Sequence, residues 1–591
     1  MQQSKSTKIN GEFQKFIDSD NKTGLCLEET LKFFEIRRIF GKFEAVKQGG
    51  IHVTLILTAL LVMLFYNARN IHSYFSRQFG KVSGIRGSKN PYYDLLGNEY
   101  ICWRAILYLF AKRYLNLVGQ IRESTVQIRA LIFDDSPLEK RGKKIEGVSK
   151  VHDHVTGNFI FGYKILVCGY WDGSNFIPVD FSLHRERGKE LDKARGKRNK
   201  ARRKVRKARS AYQEHKARHN KSRTKLNELR KEKVNGGIPN IERLEKYVTR
   251  SKKKLSKLRK NMKAAEADLE KKVKLVKEKQ KTAPLYGLPA STYRKQFKKE
   301  RHQDSPGFQR KQEADQSKVK IVIDMIRRAI SKGLVFEYVL FDSWFFSKEI
   351  LCCIESFRSR GIKLIAMLKM GKTLYRDCLD GQEKQAAALR KKYRKKVKRS
   401  RRFNAWYIKV AVWYGSHRVN LFFVKIGNGG KWKCLVTNDL DLSFNKLMEI
   451  YHIRWSIEVF FKDAKQYLQL GKCQCNNFDS QIAAATLSMM QYIMLLLYKQ
   501  MHYGQSLGSI FDLLGRQAQE ENVTRYLLEL FWEIVNKIGK LLKVDCMELF
   551  EEIIRDNQRA DEILKLLGPV LEQKHVAQTA QTNTMCCKST K

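Results

Sequence analysis

The fold is decided by two apolar runs that each end in acid. Residues 131–135 read Leu-Ile-Phe-Asp-Asp, and residues 339–342 read Val-Leu-Phe-Asp. Continuous apolar runs of this length are typical of strands buried on both faces of a sheet. If the two strands are parallel neighbours, their carboxyl ends bring acidic side chains together where open α/β sheets bind ligands. The runs therefore predict an α/β core with acidic residues at one sheet edge.

The acidic edge has Asp342 and two candidates from the first run, Asp134 and Asp135. Side chains alternate between the faces of a strand, so only one of the two candidates points into a site there. We favour Asp135, and Asp134 could instead fix the loop by accepting backbone hydrogens. Carboxylates grouped in this way suit two Mg²⁺ ions about 3.5–4 Å apart, and Mn²⁺ is an alternative.

A third carboxylate comes from a predicted helix further along the chain. Four residues spaced three, four and seven apart share one helical face: Tyr451, Arg454, Glu458 and Lys465. At about 100° per residue they lie within roughly 60° of one another. A metal-binding carboxylate beside cations that neutralise phosphate suits phosphoryl transfer on a nucleic acid. The alternative is an amphipathic helix with solvated charges.

The overall charge points to a polyanionic partner. The 591 residues include 115 Lys and Arg against 60 Asp and Glu, which gives a net charge of +55. Nucleic acid is favoured over a membrane surface, because the basic residues run throughout a chain with an ordinary apolar fraction of 43%. The apolar segment 51–66 is short for a bilayer span and follows some fifty residues that are rich in polar and charged side chains. We expect a buried core helix there and no membrane or secretion address.

The cysteines indicate no disulfide framework and no zinc site. The 12 Cys residues include no CxxC pair and no His/Cys cluster at zinc spacing. Reduced, cytosolic thiols are the simplest interpretation.

Residues 185–281 form the most basic stretch, with about 38 basic against about 12 acidic residues. Apolar residues recur there at heptad spacing, from Ala201 to Leu229 and again from Ile241 to Leu269. The segment 235–240 between them has the Gly and Pro content of a turn. We expect an antiparallel coiled-coil hairpin that contacts a phosphate backbone, the alternative being a solvated basic helix pair with no fixed role.

Three motifs in order resemble the bacterial DDE transposases of insertion sequence family four. That family's glutamate motif is Tyr-x2-Arg-x3-Glu-x6-Lys, which residues 451–465 reproduce. Its first aspartate is the second of an Asp-Asp-Thr-like triplet, similar to residues 134–136, where Ser136 replaces Thr. Its second aspartate resembles Asp342 in Phe-Asp-Ser-Trp-Phe. The resemblance spans roughly residues 126 to 475.

The resemblance implies an RNase H-like catalytic core in which Asp135, Asp342 and Glu458 hold the metal ions. Tyr451, Arg454 and Lys465 would then contact phosphates near the cleaved DNA end. Trp344 and Trp455 are candidates for stacking on a displaced base, although buried core positions are the simpler interpretation for both.

The expected fold class is α/β, an RNase H-like mixed sheet flanked by helices. The expected segments are a helical DNA-binding domain (1–120), the first part of the core (126–184), the basic coiled-coil insertion (185–281), the second part of the core (312–361), a β-rich insertion (362–445), the glutamate helix (446–480), a C-terminal helical region (481–575) and a disordered tail (576–591).

The expected function is cut-and-paste DNA transposition. The protein would bind the terminal inverted repeats of its own element, hydrolyse a strand at each end and join the ends to target DNA, as a homodimer on the bacterial nucleoid in the cytoplasm. Two alternatives remain: a catalytically inactive DNA-binding or architectural protein derived from a transposase, and a structure-selective RNase H-like nuclease.

Overall fold

A computed structural model describes residues 11–13, 15, 27–41, 43, 50–76, 88–121, 128–154, 156–186, 189–232, 239–282, 286–427, 429–501 and 505–542. The chain divides into two compact units, one formed by residues 1–64 and 87–512, the other by residues 65–86 and 513–591. The first unit carries the sheet and every candidate site residue. The expected disordered tail, 576–591, and the C-terminal region beyond residue 542 lie outside the described residues.

One mixed sheet of twelve strands organises the described part of the first unit. Its strands are β1 (Ala130–Glu139), β2 (Ser149–His152), β3 (Phe159–Trp171), β4 (Phe176–His184), β5 (Tyr338–Phe341), β6 (Lys363–Leu368), β7 (Leu374–Asp377), β8 (Glu383–Gln385), β9 (Lys398–Ser400), β10 (Ala405–Tyr414), β11 (His417–Ile426) and β12 (Lys433–Thr437). The order is β2-β3-β1-β5-β6-β12-β11-β10-β7-β8, with β4 paired to β3 and β9 paired to β10.

The half of the sheet that carries the acidic residues runs β4-β3-β1-β5-β6. Strands β1, β5 and β6 are parallel neighbours, with Phe133 opposite Phe341, and β3 runs antiparallel to β1 and β4. The expected parallel pair is therefore present. Strand β1 does not stop at Asp134, however, because its pairing with β3 continues to Glu139 after its pairing with β5 has ended. This mixed α/β arrangement is consistent with an RNase H-like core.

The β-rich region expected at 362–445 is not a separate sheet. Its first strand, β6, pairs parallel with β5 on one side and antiparallel with β12 on the other, so the remaining strands extend the same sheet. Strands β10 and β11 form a ten-residue antiparallel pair, in which β11 is buried continuously from Val419 to Val424.

The helices are α1 (Leu27–Phe33), α2 (Ile36–Gly41), α3 (Val53–Val62), α4 (Ile71–Ser76), α5 (Asn90–Leu96), α6 (Trp103–Ile121), α7 (Lys189–Glu232), α8 (Pro239–Thr282), α9 (Ala290–Arg294), α10 (Pro306–Glu313), α11 (Lys318–Ser331), α12 (Lys348–Glu355), α13 (Ala386–Lys392), α14 (Phe444–His452), α15 (Ser456–Gln466), α16 (Phe478–Met501) and α17 (Leu507–Leu542). Short 3-10 turns lie at Arg358–Arg360, Arg394–Lys396 and Ile453–Trp455.

The described residues of the N-terminal region include helices α1 to α6, and α6 is built into the body that carries the sheet. The Arg104 guanidinium of α6 donates to Asp180 of β4 at 2.8 Å and forms an ion pair with Glu313 of α10 at 2.8 Å. Asp180 also binds Arg328 of α11 at 2.8 Å. The buried Asp180 carboxylate thus binds Arg104 of α6 and Arg328 of α11, and this pairing holds α6 against the sheet.

The apolar segment at 51–66 contains α3, whose residues are mostly buried. This agrees with the expected core helix. Among the described residues, α16 is long and apolar enough to cross a membrane, yet its side chains from Phe478 to Tyr498 are nearly all buried inside the protein. The Gln491 amide of α16 donates to the carbonyl of Leu61 in α3 at 2.8 Å, so the two apolar helices pack on each other.

The basic stretch 185–281 contains α7 and α8, two helices of 44 residues each. Ion pairs between Arg209 and Glu266 and between Arg230 and Glu245 link the two helices. From the first ion pair to the second, the residue number increases on α7 and decreases on α8, so the two helices are antiparallel. The turn expected at 235–240 falls mostly outside the described residues.

Candidate active site

The candidate site lies where the carboxyl end of β5 meets the middle of β1 beneath α14 and α15. The side chain of Ser443 caps α14 by accepting the Lys446 N–H at 3.3 Å, and α15 continues the chain after a 3-10 turn. The predicted single helix is thus interrupted at Ile453–Trp455. Tyr451, Arg454 and Lys465 nevertheless contact β1 or β5, and Glu458 contacts Arg454.

Asp134 and Asp342 are neighbours across the parallel strand pair. Phe133 pairs with Phe341, so the next residue on each chain is an aspartate. Asp342 turns the chain after β5, because its Oδ1 accepts the Trp344 N–H at 2.8 Å. Burial, then the negative charge of Asp342, raises the pKa of Asp134 to about 7. Burial likewise raises the pKa of Asp342, to which the charge of Asp135 contributes. Such repulsion between buried carboxylates favours a proton or a cation between them.

Asp135 points to the opposite face of β1 from Asp134, as alternation along a strand requires. There it forms ion pairs with Lys318 of α11 at 2.5 Å and with Lys164 of β3 at 3.7 Å. These lysines lower the pKa of Asp135 although burial opposes the shift. Asp134 is therefore the aspartate that shares a face of β1 with the Glu458 helix.

Arg454 joins two of the carboxylates. Its Nη2 donates to Glu458 Oε1 at 2.6 Å, and its Nη1 lies 3.3 Å from Asp134 Oδ2. Burial opposes the charged form, yet Tyr451, Glu458 and Asp134 together raise the pKa of Arg454. The guanidinium thus compensates two negative charges at the end of the sheet. The second Asp134 oxygen accepts the Asp135 N–H at 2.8 Å, so the expected backbone interaction of Asp134 is also present.

Tyr451 and Lys465 attach the two helices to the strands. The Tyr451 hydroxyl donates to the Phe341 carbonyl at 3.3 Å, and burial raises the pKa of Tyr451 to about 12. The Lys465 ammonium donates to Ser136 Oγ at 2.8 Å and to the Pro137 carbonyl at 2.9 Å. Ser136 shares the face of Asp134, so Lys465 holds α15 over that face of β1.

Both candidate tryptophans are exposed, which corrects the simpler interpretation of buried core aromatics. Trp344 is 63% exposed and Trp455 is 60% exposed. Trp344 follows Asp342 by two residues and has the Lys369 ammonium 4.7 Å from its ring centroid. Trp455 directly follows Arg454. Large exposed aromatic faces beside a charged cluster are available for stacking.

The donor chemistry of the site is that of a hard divalent cation, since Asp134, Asp342 and Glu458 offer only carboxylate oxygens. In the part of the chain that the structure describes, no three His, Cys, Asp or Glu side chains are grouped closely enough to hold a metal ion. The Arg454 guanidinium lies between Asp134 and Glu458 instead. Carboxylate oxygens are suitable ligands for such an ion. With Arg454 between Asp134 and Glu458, however, the three carboxylates are not close enough together to share one ion.

Part of the chain that carries these residues matches a known protein family. Residues 308–494 match the family model of the transposase DDE domain. The matched span includes Asp342, Glu458 and the three other residues of the Tyr451–Lys465 face, while β1 with Asp134 precedes it. The match supports a DDE transposase, an enzyme class that acts on DNA and generally uses divalent metal ions. No protein of curated function is significantly similar to the chain.

Two lysines of the site were not among the sequence predictions. Lys164 is buried in β3 and Lys318 begins α11, and both contact Asp135. Neither lies in a motif, and 183 positions separate Lys318 from Asp135. Only the pairing of β1 with β3 and the packing of α11 bring them together.

Proposed function

We propose that the protein is a DDE transposase that moves an insertion sequence by cutting both DNA strands at its terminal inverted repeats and joining the ends to target DNA. The observation that carries the proposal is the position of Arg454 between Asp134 and Glu458, with Asp342 beside Asp134 on the neighbouring strand, where residues 308–494 match the transposase DDE domain. The alignment of Asp134 with Asp342 across β1 and β5 supports Asp134 as the first acidic residue, in place of Asp135.

Asp134, Asp342 and Glu458 would hold Mg²⁺ ions, or Mn²⁺ in their place. Two such ions would activate the attacking oxygen and stabilise the leaving oxygen of an in-line phosphodiester displacement. For Glu458 to take part, its contact with Arg454 at 2.6 Å must open. The freed guanidinium then faces the same edge, where it can donate two parallel hydrogen bonds to a DNA phosphate.

The neighbouring residues would hold the DNA end. Lys465 uses two of its three N–H donors within the protein, which leaves the third for a phosphate oxygen. The Tyr451 hydroxyl can turn from the Phe341 carbonyl, a bond of 3.3 Å, to a phosphate. Trp344 and Trp455 present exposed rings to a displaced base.

The larger assembly follows from the same proposal. Two ends of one element require two active sites, which a homodimer in a synaptic complex would supply. The protein would act in the bacterial cytoplasm on nucleoid DNA. The net charge of +55 favours association with that polyanion.

The test uses the full chain and duplex DNA carrying the sequences that flank its own gene. Wild-type protein with Mg²⁺ is compared with Glu458→Gln, which keeps the side-chain shape and a hydrogen-bond acceptor for Arg454 but removes the charge. We expect nicking, hairpin formation and strand transfer at the element ends with wild type alone. Binding without cleavage by wild type would make the protein an architectural one, and cleavage indifferent to end sequence would make it a nuclease.

A further inference from the structure

Helices α7 and α8 form a long basic arm that the acidic site does not use. Together they contain 35 Lys and Arg against 11 Asp and Glu. At 1.5 Å per residue, each helix of 44 residues is about 66 Å long. Surface positions along the arm are predominantly positive. Exposed examples on α7 are Arg203, Lys207, Lys216, Lys221 and Lys225.

Packing between the two helices does not account for these cations. The contact between the helices is narrow, with buried residues such as Ala201, Val205 and Ile241. Near its middle it is polar, because the rings of His215 and His219 each lie 3.2 Å from the Ser251 hydroxyl. Like charges spaced along a helix destabilise it. The excess of cations therefore costs stability, and an external polyanion would offset that cost.

The base of the arm is held firmly to the core. Arg185, just before α7, forms an ion pair with Asp315, and Tyr286, shortly after α8, donates to the same carboxylate at 3.0 Å. The Arg185 guanidinium also stacks 3.9 Å from the Tyr286 ring centroid. Both ends of the arm are thus fixed at one point, three residues before Lys318.

The base of the arm also lies close to β1, on the face of that strand that carries Asp135. Glu186 binds the Lys164 ammonium at 3.2 Å, and Lys164 lies 3.7 Å from Asp135. One lysine side chain therefore separates the base of the arm from the strand that carries Asp134.

We infer that the arm of α7 and α8 binds the phosphate backbone of double-stranded DNA along about 20 base pairs, the length that matches 66 Å at about 3.4 Å per base pair. The inference rests on the proposed function for the choice of DNA as the polyanion. It adds the extent of the DNA-binding site. A DNA duplex shorter than the arm should leave some of the arm's basic residues without a phosphate contact. Affinity should therefore increase with duplex length.

The experiment measures binding of the full chain to end-containing duplexes of about 15, 25 and 35 base pairs by fluorescence anisotropy in EDTA, over a range of salt concentrations. The arm variant combines Arg203→Gln, Lys207→Gln, Lys216→Gln, Lys221→Gln and Lys225→Gln. Glutamine is also a good helix former, and circular dichroism checks that the helices remain. A control variant makes the same change in charge in the exposed segment 391–399, through Lys391→Gln, Arg394→Gln, Lys395→Gln, Lys396→Gln and Arg399→Gln.

Wild type and the control variant should bind the duplexes of about 25 and 35 base pairs at least about tenfold more tightly than the shortest one. The arm variant should lose this gain, and its slope of log affinity against log salt should fall by about 0.9 for each phosphate contact removed. A gain that persists in the arm variant, or disappears equally in the control, would overturn the inference. Tighter binding of the arm to duplex RNA or to single strands would also overturn it.

The transposase proposal and the proposal for the arm can be rejected independently of each other. Arm-dependent binding by a wild-type protein that never cleaves DNA would reject the transposase and keep the arm as a DNA-binding surface. End-specific cleavage combined with an unchanged length dependence in the arm variant would reject the arm alone.

Discussion

The raised pKa of Asp134 predicts that the proposed binding of divalent ions depends on pH. An ion coordinates the carboxylate only after the proton has left, so a pKa of about 7 weakens ion binding below neutrality. The ionised fraction of such a group falls from about 0.9 at pH 8 to about 0.03 at pH 5.5. The Mg²⁺ concentration for half-maximal cleavage should therefore rise about 30-fold over this range. Because the pKa of Asp342 is also raised, the increase should be no smaller than this.

The assay follows single-turnover cleavage of labelled end DNA by the full chain, with Mg²⁺ titrated at each pH. Asp380→Asn serves as the control, because Asp380 forms exposed ion pairs with Lys384 and Lys392 and its pKa is lowered, so the variant should keep the same pH dependence. An aspartate with an ordinary pKa is ionised throughout this range. A half-maximal Mg²⁺ concentration that stays constant from pH 8 to pH 5.5 would refute the reasoning.

Further predictions concern the core and the exposed rings. Asp180→Asn should destabilise the protein by about 3–5 kcal/mol and lower its melting temperature, because Arg104, Arg328 and Arg310 lose a buried partner. Asp380→Asn, at an exposed ion pair with Lys384, should have little effect. Neighbouring arginines lower the pKa of Asp180 to about 2 against the opposing effect of burial. The stabilisation that Asp180 provides is therefore complete above about pH 4 and is lost as the pH falls towards 2. Over that range the melting temperature of wild type should fall more steeply than that of Asp180→Asn. Trp344→Ala and Trp455→Ala should leave the melting temperature unchanged but weaken end binding, each by about 1–3 kcal/mol in anisotropy titrations. A large loss of stability in either variant would contradict an exposed, DNA-facing role.

Much of the fold follows from local sequence pattern. The apolar runs before Asp134 and Asp342 predicted a parallel pair, and β1 and β5 form one. Heptad spacing predicted the two arms of α7 and α8 because both helices bury a periodic stripe against each other. These features depend on periodicity within one segment, which the sequence displays directly.

The choice between Asp134 and Asp135 depends on information that lies outside the motif. A shift of one residue exchanges the two faces of a strand, and the register of β1 is set by β3 and β5 rather than by its own residues. The position of Arg454 between Asp134 and Glu458 likewise depends on how α14 and α15 pack on the sheet. The exposure of Trp344 and Trp455 could not be predicted, because a large apolar side chain is usually buried.

The decisive measurement is single-turnover cleavage of end DNA by Asp134→Asn and Asp135→Asn, with Glu458→Gln as the inactive reference. If Asp134, Asp342 and Glu458 form the active site, Asp134→Asn should cleave no more than the reference. Asp135→Asn should lose at most about 10–100-fold, as expected for a residue that supports a metal site without binding the ion. Full loss of cleavage in Asp135→Asn together with activity in Asp134→Asn would contradict the assignment.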